Sequence, residues 1–192
     1  MSRLDLIVGP NGAGKSTFAQ EVLAQQLPGV LFVNADLIAV ERWPEDPEGH
    51  AYDAAKIAEA TRSALIESGT QFVAETVFSH PSKLALIDQA QAAGYFVALH
   101  VLMVPEDLAV ARVAKRVEHG GHSVPENKIR ERYQRLWDHV AGAAEKVQSA
   151  AFWDNSRLDG PKLVADFANG QLLAVPKWPS WTPGILTGHW PP

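Results

Sequence analysis

Nine consecutive residues, Gly9-Pro10-Asn11-Gly12-Ala13-Gly14-Lys15-Ser16-Thr17, carry the most legible chemistry in this chain. They match G-x-x-x-x-G-K-[ST], the spacing of a phosphate-binding loop. Glycines at 9, 12 and 14 allow tight and left-handed turns and a close approach of backbone to phosphate oxygens. Successive N–H groups then form an anion-binding nest that opens into a helix, whose dipole favours the same charge. Lys15 can reach β- and γ-phosphates, and the Ser16 hydroxyl can ligate Mg²⁺. A dinucleotide fingerprint is excluded, because the glycines do not fit G-x-G-x-x-G. The expected ligand is a nucleoside triphosphate with Mg²⁺: ATP, with GTP left open.

Two acidic residues are placed to act beside that triphosphate. Asn34-Ala35-Asp36 follows the strand candidate 30–34 directly, and Glu75-Thr76 follows the strand candidate 70–74. Two carboxylates on one rim next to Mg-nucleotide suit phosphorylation of a hydroxyl, where one accepts the acceptor's proton and both can orient it. Each also reads as an exposed or capping carboxylate, and Glu75 as a residue that positions water or Mg²⁺ in a hydrolase. Phosphoryl transfer further needs cations on the migrating charge. Arg112 and Arg116 lie four apart, hence on one helix face, and Arg130, Arg132 and Arg135 form a second basic group. His122, beside Gly120 and Gly121, reads as a loop residue shaping a lid. Surface pairing would account for about half of these arginines equally well, and spacing alone does not choose among them.

The elements that must position these groups alternate. Strand patterns at 4–8, 30–34, 70–74 and 95–104 are separated by helical patterns at 17–27, 51–68 and 81–93. Further helices are expected at 105 to about 119 and 125 to about 148, with short strands at 150–153 and near 172–175. On the helix at 51–68, Ala55, Ile57, Ala58 and Leu65 are the residues expected to be buried. Near-continuous apolar strands alternating with helices predict an α/β fold, a phosphate-loop NTPase-type three-layer sandwich whose mostly parallel sheet is covered on both faces. Ligands then gather at the carboxyl ends of the strands. Residues 1–175 are read as one such domain. Residues 176–192 form a tail rich in proline and tryptophan, expected to pack in extended form on its own domain and to make no regular helix.

Composition narrows the partners. At 192 residues with 46% hydrophobic and 20% charged, the chain suits a single globular domain. A net charge of −5 argues against a broad nucleic-acid footprint. The lack of cysteine removes disulfides, thiolate metal sites and cysteine nucleophiles together, and fits a reducing compartment. No apolar run approaches the ~20 residues of a spanning helix, and Asp5 within the first strand does not fit a signal peptide. The expectation is a cytoplasmic protein with a small-molecule acceptor and neither nucleic acid nor membrane as partner.

With these pieces in order, the chain resembles the zeta-toxin-like phosphate-loop kinases, especially a small bacterial branch known as predicted ABC-type ATPases. The matching stretches are 9–17, Phe32-Val-Asn-Ala-Asp36, Phe72-Val-Ala-Glu-Thr76, Arg112-Val-Ala-Lys-Arg-Val117, Gly120-Gly-His-Ser-Val-Pro125, Ile129-Arg-Glu-Arg-Tyr133 and Trp153-Asp-Asn-Ser156. The resemblance implies a kinase fold in which Lys15 binds phosphates, Ser16 holds Mg²⁺ and Asp36 is the base. It also implies that Glu75 helps hold the acceptor and Arg116 stabilises the γ-phosphate in flight. Thr76, His122, Arg112, Arg130 and Arg132 would lie on the substrate or lid side, with 154–156 approaching the nucleotide base. Zeta toxins phosphorylate UDP-N-acetylglucosamine and pair with an antitoxin protein, so a nucleotide sugar and an antitoxin partner follow by resemblance. Val77-Phe78-Ser79-His80, where relatives favour Thr-Leu-Ser-Gly, changes the acceptor wall and leaves sugar specificity behind. His122 stands at a second basic position, so that arginine's task would pass to Arg130 or Arg132. An LSGGQ-like signature and a strand-end Asp-Glu, which an ABC ATPase needs, are lacking. The competing reading is an NTP hydrolase or nucleotide-dependent switch that acts through a protein partner.

Overall fold

The computed structural model describes residues 2–118 and 124–192. Its centre is a 7-stranded sheet in the order β2-β3-β1-β4-β5-β6-β7. The strands are β1 Arg3–Val8, β2 Leu31–Val33, β3 Phe72–Thr76, β4 Phe96–Met103, β5 Ser149–Asp154, β6 Lys162–Ala168 and β7 Gln171–Leu172. β2, β3, β1, β4 and β5 run parallel, while β6 and β7 complete one edge antiparallel. The order reverses at β1: the chain leaves it towards β2 on one side and later returns through β4 on the other. Such a switch opens a crevice at the strands' carboxyl ends, where the phosphate loop, Asn34 and Glu75 all stand.

Helices cover both faces. They are α1 Lys15–Phe18, continued by a π-helical turn Ala19–Leu23 and by α2 Ala24–Gln26, then α3 Ala35–Arg42, α4 Ala51–Glu67, α5 Ser82–Ala92, α6 Glu106–Glu118, α7 Glu126–Lys146 and α8 Gly184–His189. One apolar layer sets Leu4, Leu6, Val8, Leu99 and Phe152 against α4, α5, α7 and α8. The other sets Ile7, Val73, Leu102 and Val104 against Phe18, Leu23 and the buried side of α6. The expected three-layer α/β sandwich is therefore the fold.

Three elements differ from the sequence expectation. α3 was not anticipated, because its Leu37 and Val40 are exposed and blur the amphipathic pattern. Asn34 starts it by accepting from the N–H groups of Asp36 (2.7 Å) and Leu37 (3.2 Å). β6 was missed because it follows β5 with no helix between them, breaking the alternation. Helix α8 corrects the reading that 176–192 has no regular helix: Pro183 stands just before its start, where proline does no harm. Trp190, only 9% exposed, packs edge-on against Phe152 and Phe167. On α4 the buried side chains are Ala54, Ala58, Arg62 and Ile66, whereas Ala55 is exposed. The true stripe has an arginine in its middle.

Candidate active site

The phosphate loop folds as its glycines require. Gly12 (φ 76°) and Gly14 (φ 85°) are in the left-handed region. A Cβ on Gly12 would lie 2.5 Å from the Ala109 carbonyl oxygen of α6, and one on Gly14 would lie 2.6 Å from Asn155 Nδ2. Glycine is thus demanded by space as well as by φ. Asn155 donates to the Ala13 carbonyl at 2.8 Å, and Arg112 donates to the Asn155 carbonyl at 2.9 Å. The segment after β5 therefore braces the loop from outside, and Arg112 braces that segment.

A cavity of about 240 Å³ opens beside the loop. Lys15, Ser16, Asp36, Glu75, Arg116 and Arg132 all contribute to its wall, as does Thr76. Lys15 is 7% exposed and donates to the Pro10 carbonyl at 3.0 Å, so it lies curled across the loop. Burial pushes its ammonium below the ordinary lysine value; the Glu75 and Asp36 charges oppose this and the Arg116 charge adds to it. Glu75 is nearly as buried. Its Oε2 accepts from Ser16 Oγ (2.9 Å) and Asn34 Nδ2 (2.6 Å), and its Oε1 lies 3.8 Å from Lys15 Nζ. Asp36 sits exposed in the first turn of α3. Asn11 also lines the cavity, and its Oδ1 is buried with no hydrogen-bond partner among the described residues.

Three of the arginines considered from sequence are turned to other work; one, Arg135, pairs with Glu131 at 3.2 Å on its own helix. Arg112 holds Asn155, as described. Arg130 meets three carboxylates, Glu106 (3.4 Å), Asp107 (2.9 Å) and Glu126 (2.9 Å), which raise its pKa further and join α6 to α7. Arg132, one residue pair along the same helix, reaches the cavity instead. His122 and Gly120-Gly121 lie outside the described residues.

The opposite wall holds residues that sequence reading did not single out as functional. Arg62 of α4 is 6% exposed, and Lys83 lies in the first turn of α5. Both line the cavity with Phe78, which is fully buried at φ 68°, a conformation costly for a bulky side chain. The departure at 77–80 had marked this segment as unusual. An arginine in the buried stripe of a helix was the other available signal.

No helix among the described residues is long and apolar enough to cross a membrane. Comparison with known proteins agrees with the fold. Among curated proteins, an uncharacterized protein of Haemophilus influenzae is 28% identical over 129 residues, 65% of this chain and 88% of its own. The solved complex of AvrRxo1-ORF1 and -ORF2 with ATP superposes with a TM-score of 0.70 at 15% identity, over 90% of this chain and 60% of that one. The chain thus spans less than two thirds of that relative's length. A structure from the PezAT chromosomal toxin-antitoxin system of Streptococcus pneumoniae gives a TM-score of 0.62 at 16% identity, covering 98% of this chain and 84% of that one. At such identities the likeness concerns the fold. The family model described as zeta toxin matches residues 3–155. That match runs from β1 to the Asn155 brace and takes in every residue named in the cavity wall: the chain belongs to the zeta toxin family.

Proposed function

We propose that this protein is a Mg-ATP-dependent kinase that moves the γ-phosphate to a hydroxyl of a small molecule. One observation carries the reading: Lys15 and Ser16 share a cavity with Asp36, Glu75, Arg116 and Arg132, so phosphate binders, carboxylates and cations face one space. Lys15 would swing from the Pro10 carbonyl to the β- and γ-phosphates. Asp36, which lines the cavity and whose side chain has no partner among the described residues, would accept the proton of the acceptor's hydroxyl. The acceptor oxygen bonds to the γ-phosphorus as the bond to the β–γ bridging oxygen breaks, and that oxygen leaves on ADP with the electron pair. Arg116 and Arg132 would meet the charge spread over the equatorial oxygens.

Mg²⁺ fits the donors present. The Ser16 hydroxyl and the Glu75 carboxylate are hard oxygen donors already in contact. Among the described residues no cluster of three or more His, Cys, Asp or Glu offers an all-protein cage, which suits an ion that keeps waters and phosphate oxygens as ligands. Held there, it would supply positive charge to offset that of the phosphates. Glu75 would then serve the metal side more than the acceptor, since Ser16, Asn34 and Lys15 already hold it.

The test is mass spectrometry of a metabolite extract incubated with Mg-ATP and either wild-type protein or Asp36→Asn. A phosphoester formed only by wild type is expected. Asp36→Asn should lower turnover by about 10²–10⁴-fold while ATP affinity stays near wild type. Equal loss of ATP binding would move Asp36 to the metal or nucleotide. The Glu75–Ser16 contact also favours a second reading, a hydrolase or nucleotide-dependent switch. That reading requires equal ATP turnover by both proteins without a new phosphoester. An antitoxin partner, suggested by the PezAT neighbour, would be supported by growth arrest on expression that Lys15→Ala abolishes; harmless expression of an active enzyme would sink it.

A further inference from the structure

Arg62 is 6% exposed, yet its side chain has no hydrogen bond or ion pair among the described residues. A buried guanidinium normally spends its five donors on carboxylates or carbonyls, because the charge is otherwise costly to keep out of water. Here the donors are uncommitted, and the side chain forms part of the cavity wall that also holds Asp36. Lys83 stands beside it on the same wall, its side chain likewise without a hydrogen bond or ion pair among the described residues. The two cations disfavour each other: burial pushes the Lys83 ammonium down first, and the charge of Arg62 pushes it further. Glu59, one turn before Arg62, offsets part of this for both but makes no ion pair with either.

Such a pair is an anion site waiting for its anion. The phosphate loop with Lys15 already accounts for the triphosphate, so the Arg62 site is a second one within the same cavity of about 240 Å³. We infer that the phosphoryl acceptor carries its own carboxylate or phosphate within a few bonds of the reacting hydroxyl, and that Arg62, helped by Lys83, holds this group. The planar guanidinium takes a carboxylate or phosphate in two parallel hydrogen bonds, which fixes orientation as well as position. With the anion clamped there, the hydroxyl is presented to Asp36. The Phe78 backbone at φ 68° holds the segment between β3 and α5, and so sets where Lys83 enters the cavity. A small hydroxy acid or phosphorylated alcohol meets these demands. This inference rests on the kinase reading for the word acceptor, but not for the anion site.

The experiment uses the full chain loaded with Mg²⁺ and β,γ-imido-ATP, which fills the phosphate loop and its γ-position. Inorganic phosphate and malonate are then titrated in separately by calorimetry. One further anion per chain is expected. Arg62→Met should weaken it at least tenfold, Lys83→Met by less, and Arg62→Lys should retain part of the affinity, which separates charge loss from misfolding. The nucleotide's affinity should stay within twofold in all three. Tighter binding of phosphate would point to a phosphorylated alcohol, and of malonate to a hydroxy acid. No second anion in wild type, or one that Arg62→Met leaves unchanged, overturns the inference. Anion binding without any phosphoester from the extract would sink the kinase reading alone. A phosphoester on a neutral acceptor, with no anion bound, would sink this inference alone.

Discussion

The phosphate-loop side and the facing wall of one cavity are built by different means. On the loop side nearly every polar group already has a partner. Glu75 is held by Ser16 and Asn34, Lys15 by the Pro10 carbonyl, and the loop itself by Asn155 and Arg112. These contacts tie together residues whose types and spacing are visible as motifs. On the facing wall, the Arg62 and Lys83 side chains have no such partners among the described residues, and Phe78 has a strained backbone. A triphosphate looks alike to every protein that binds it, so its site is made from backbone and a few fixed side chains. An acceptor is particular to one enzyme. Its site is made from side chains scattered over several elements and left unsatisfied until the ligand comes.

Lys15→Met is the largest break in that contrast. Without the ammonium, kcat/KM should fall by about 10²–10³-fold, the usual worth of one preorganised donor to a developing oxyanion. Stability should move the other way or not at all, because a buried charge that the fold holds below its ordinary pKa is removed. Urea midpoints of both proteins at neutral pH check this. A clear fall would mean that the Lys15–Glu75 attraction outweighs the desolvation of the lysine, and that the loop side is assembled around it.

A smaller effect tests how firmly β1 carries the loop. Asp5 is fully buried and accepts from Arg3 (2.7 Å, twice) and from the His100 ring (2.9 Å). Burial by itself would raise its pKa, but the His100 and Arg3 hydrogen bonds outweigh it and the carboxyl is held below the usual range. Its contribution is therefore fully present above the unfolded value near pH 4 and is lost as pH falls through the lower folded value. Asp5→Asn should cost about 2 kcal/mol at pH 7, the scale of a charged hydrogen bond lost. The gap to wild type should narrow in urea unfolding as the pH is taken from 5 to 2. A gap that stays constant would assign the cost to packing.

The same contrast explains what was legible in the sequence. The strand, glycine loop and helix order, and Asn34-Ala35-Asp36 after β2, are local patterns, so the loop side could be read directly, whereas the strand order that puts the switch at β1 could not. Arg62 could not. Helical periodicity counts apolar residues, so the stripe on α4 was sought through Ala55, Ile57 and Leu65 and passed over the charge at its centre. The same rule hid α3, whose apolar side chains partly face water, and alternation hid β6, which needs no helix before it. Proline was given too much weight in the tail, since α8 begins just after one. Each miss is a place where a neighbour in space, not in sequence, decides the residue's environment.

The smallest expected effect separates the two arginines of α7 that sequence left undecided. Arg130 and Arg132 point to different surroundings: Arg130 to Glu106, Asp107 and Glu126, and Arg132 to the cavity. Arg132→Ala should lower kcat by about tenfold, as for one charged hydrogen bond removed from the transition state, with little change in Tm. Arg130→Ala should leave kcat nearly unchanged and lower Tm only slightly, because its ion pairs are open to solvent. High salt should shrink that shift further, whereas the Arg132 effect on kcat should persist. If Arg130→Ala instead lowers kcat as much as Arg132→Ala, the clamp between α6 and α7 sets the position of Arg116. The cavity's cations would then depend on contacts outside it, and the loop side would be less self-contained than its hydrogen bonds imply.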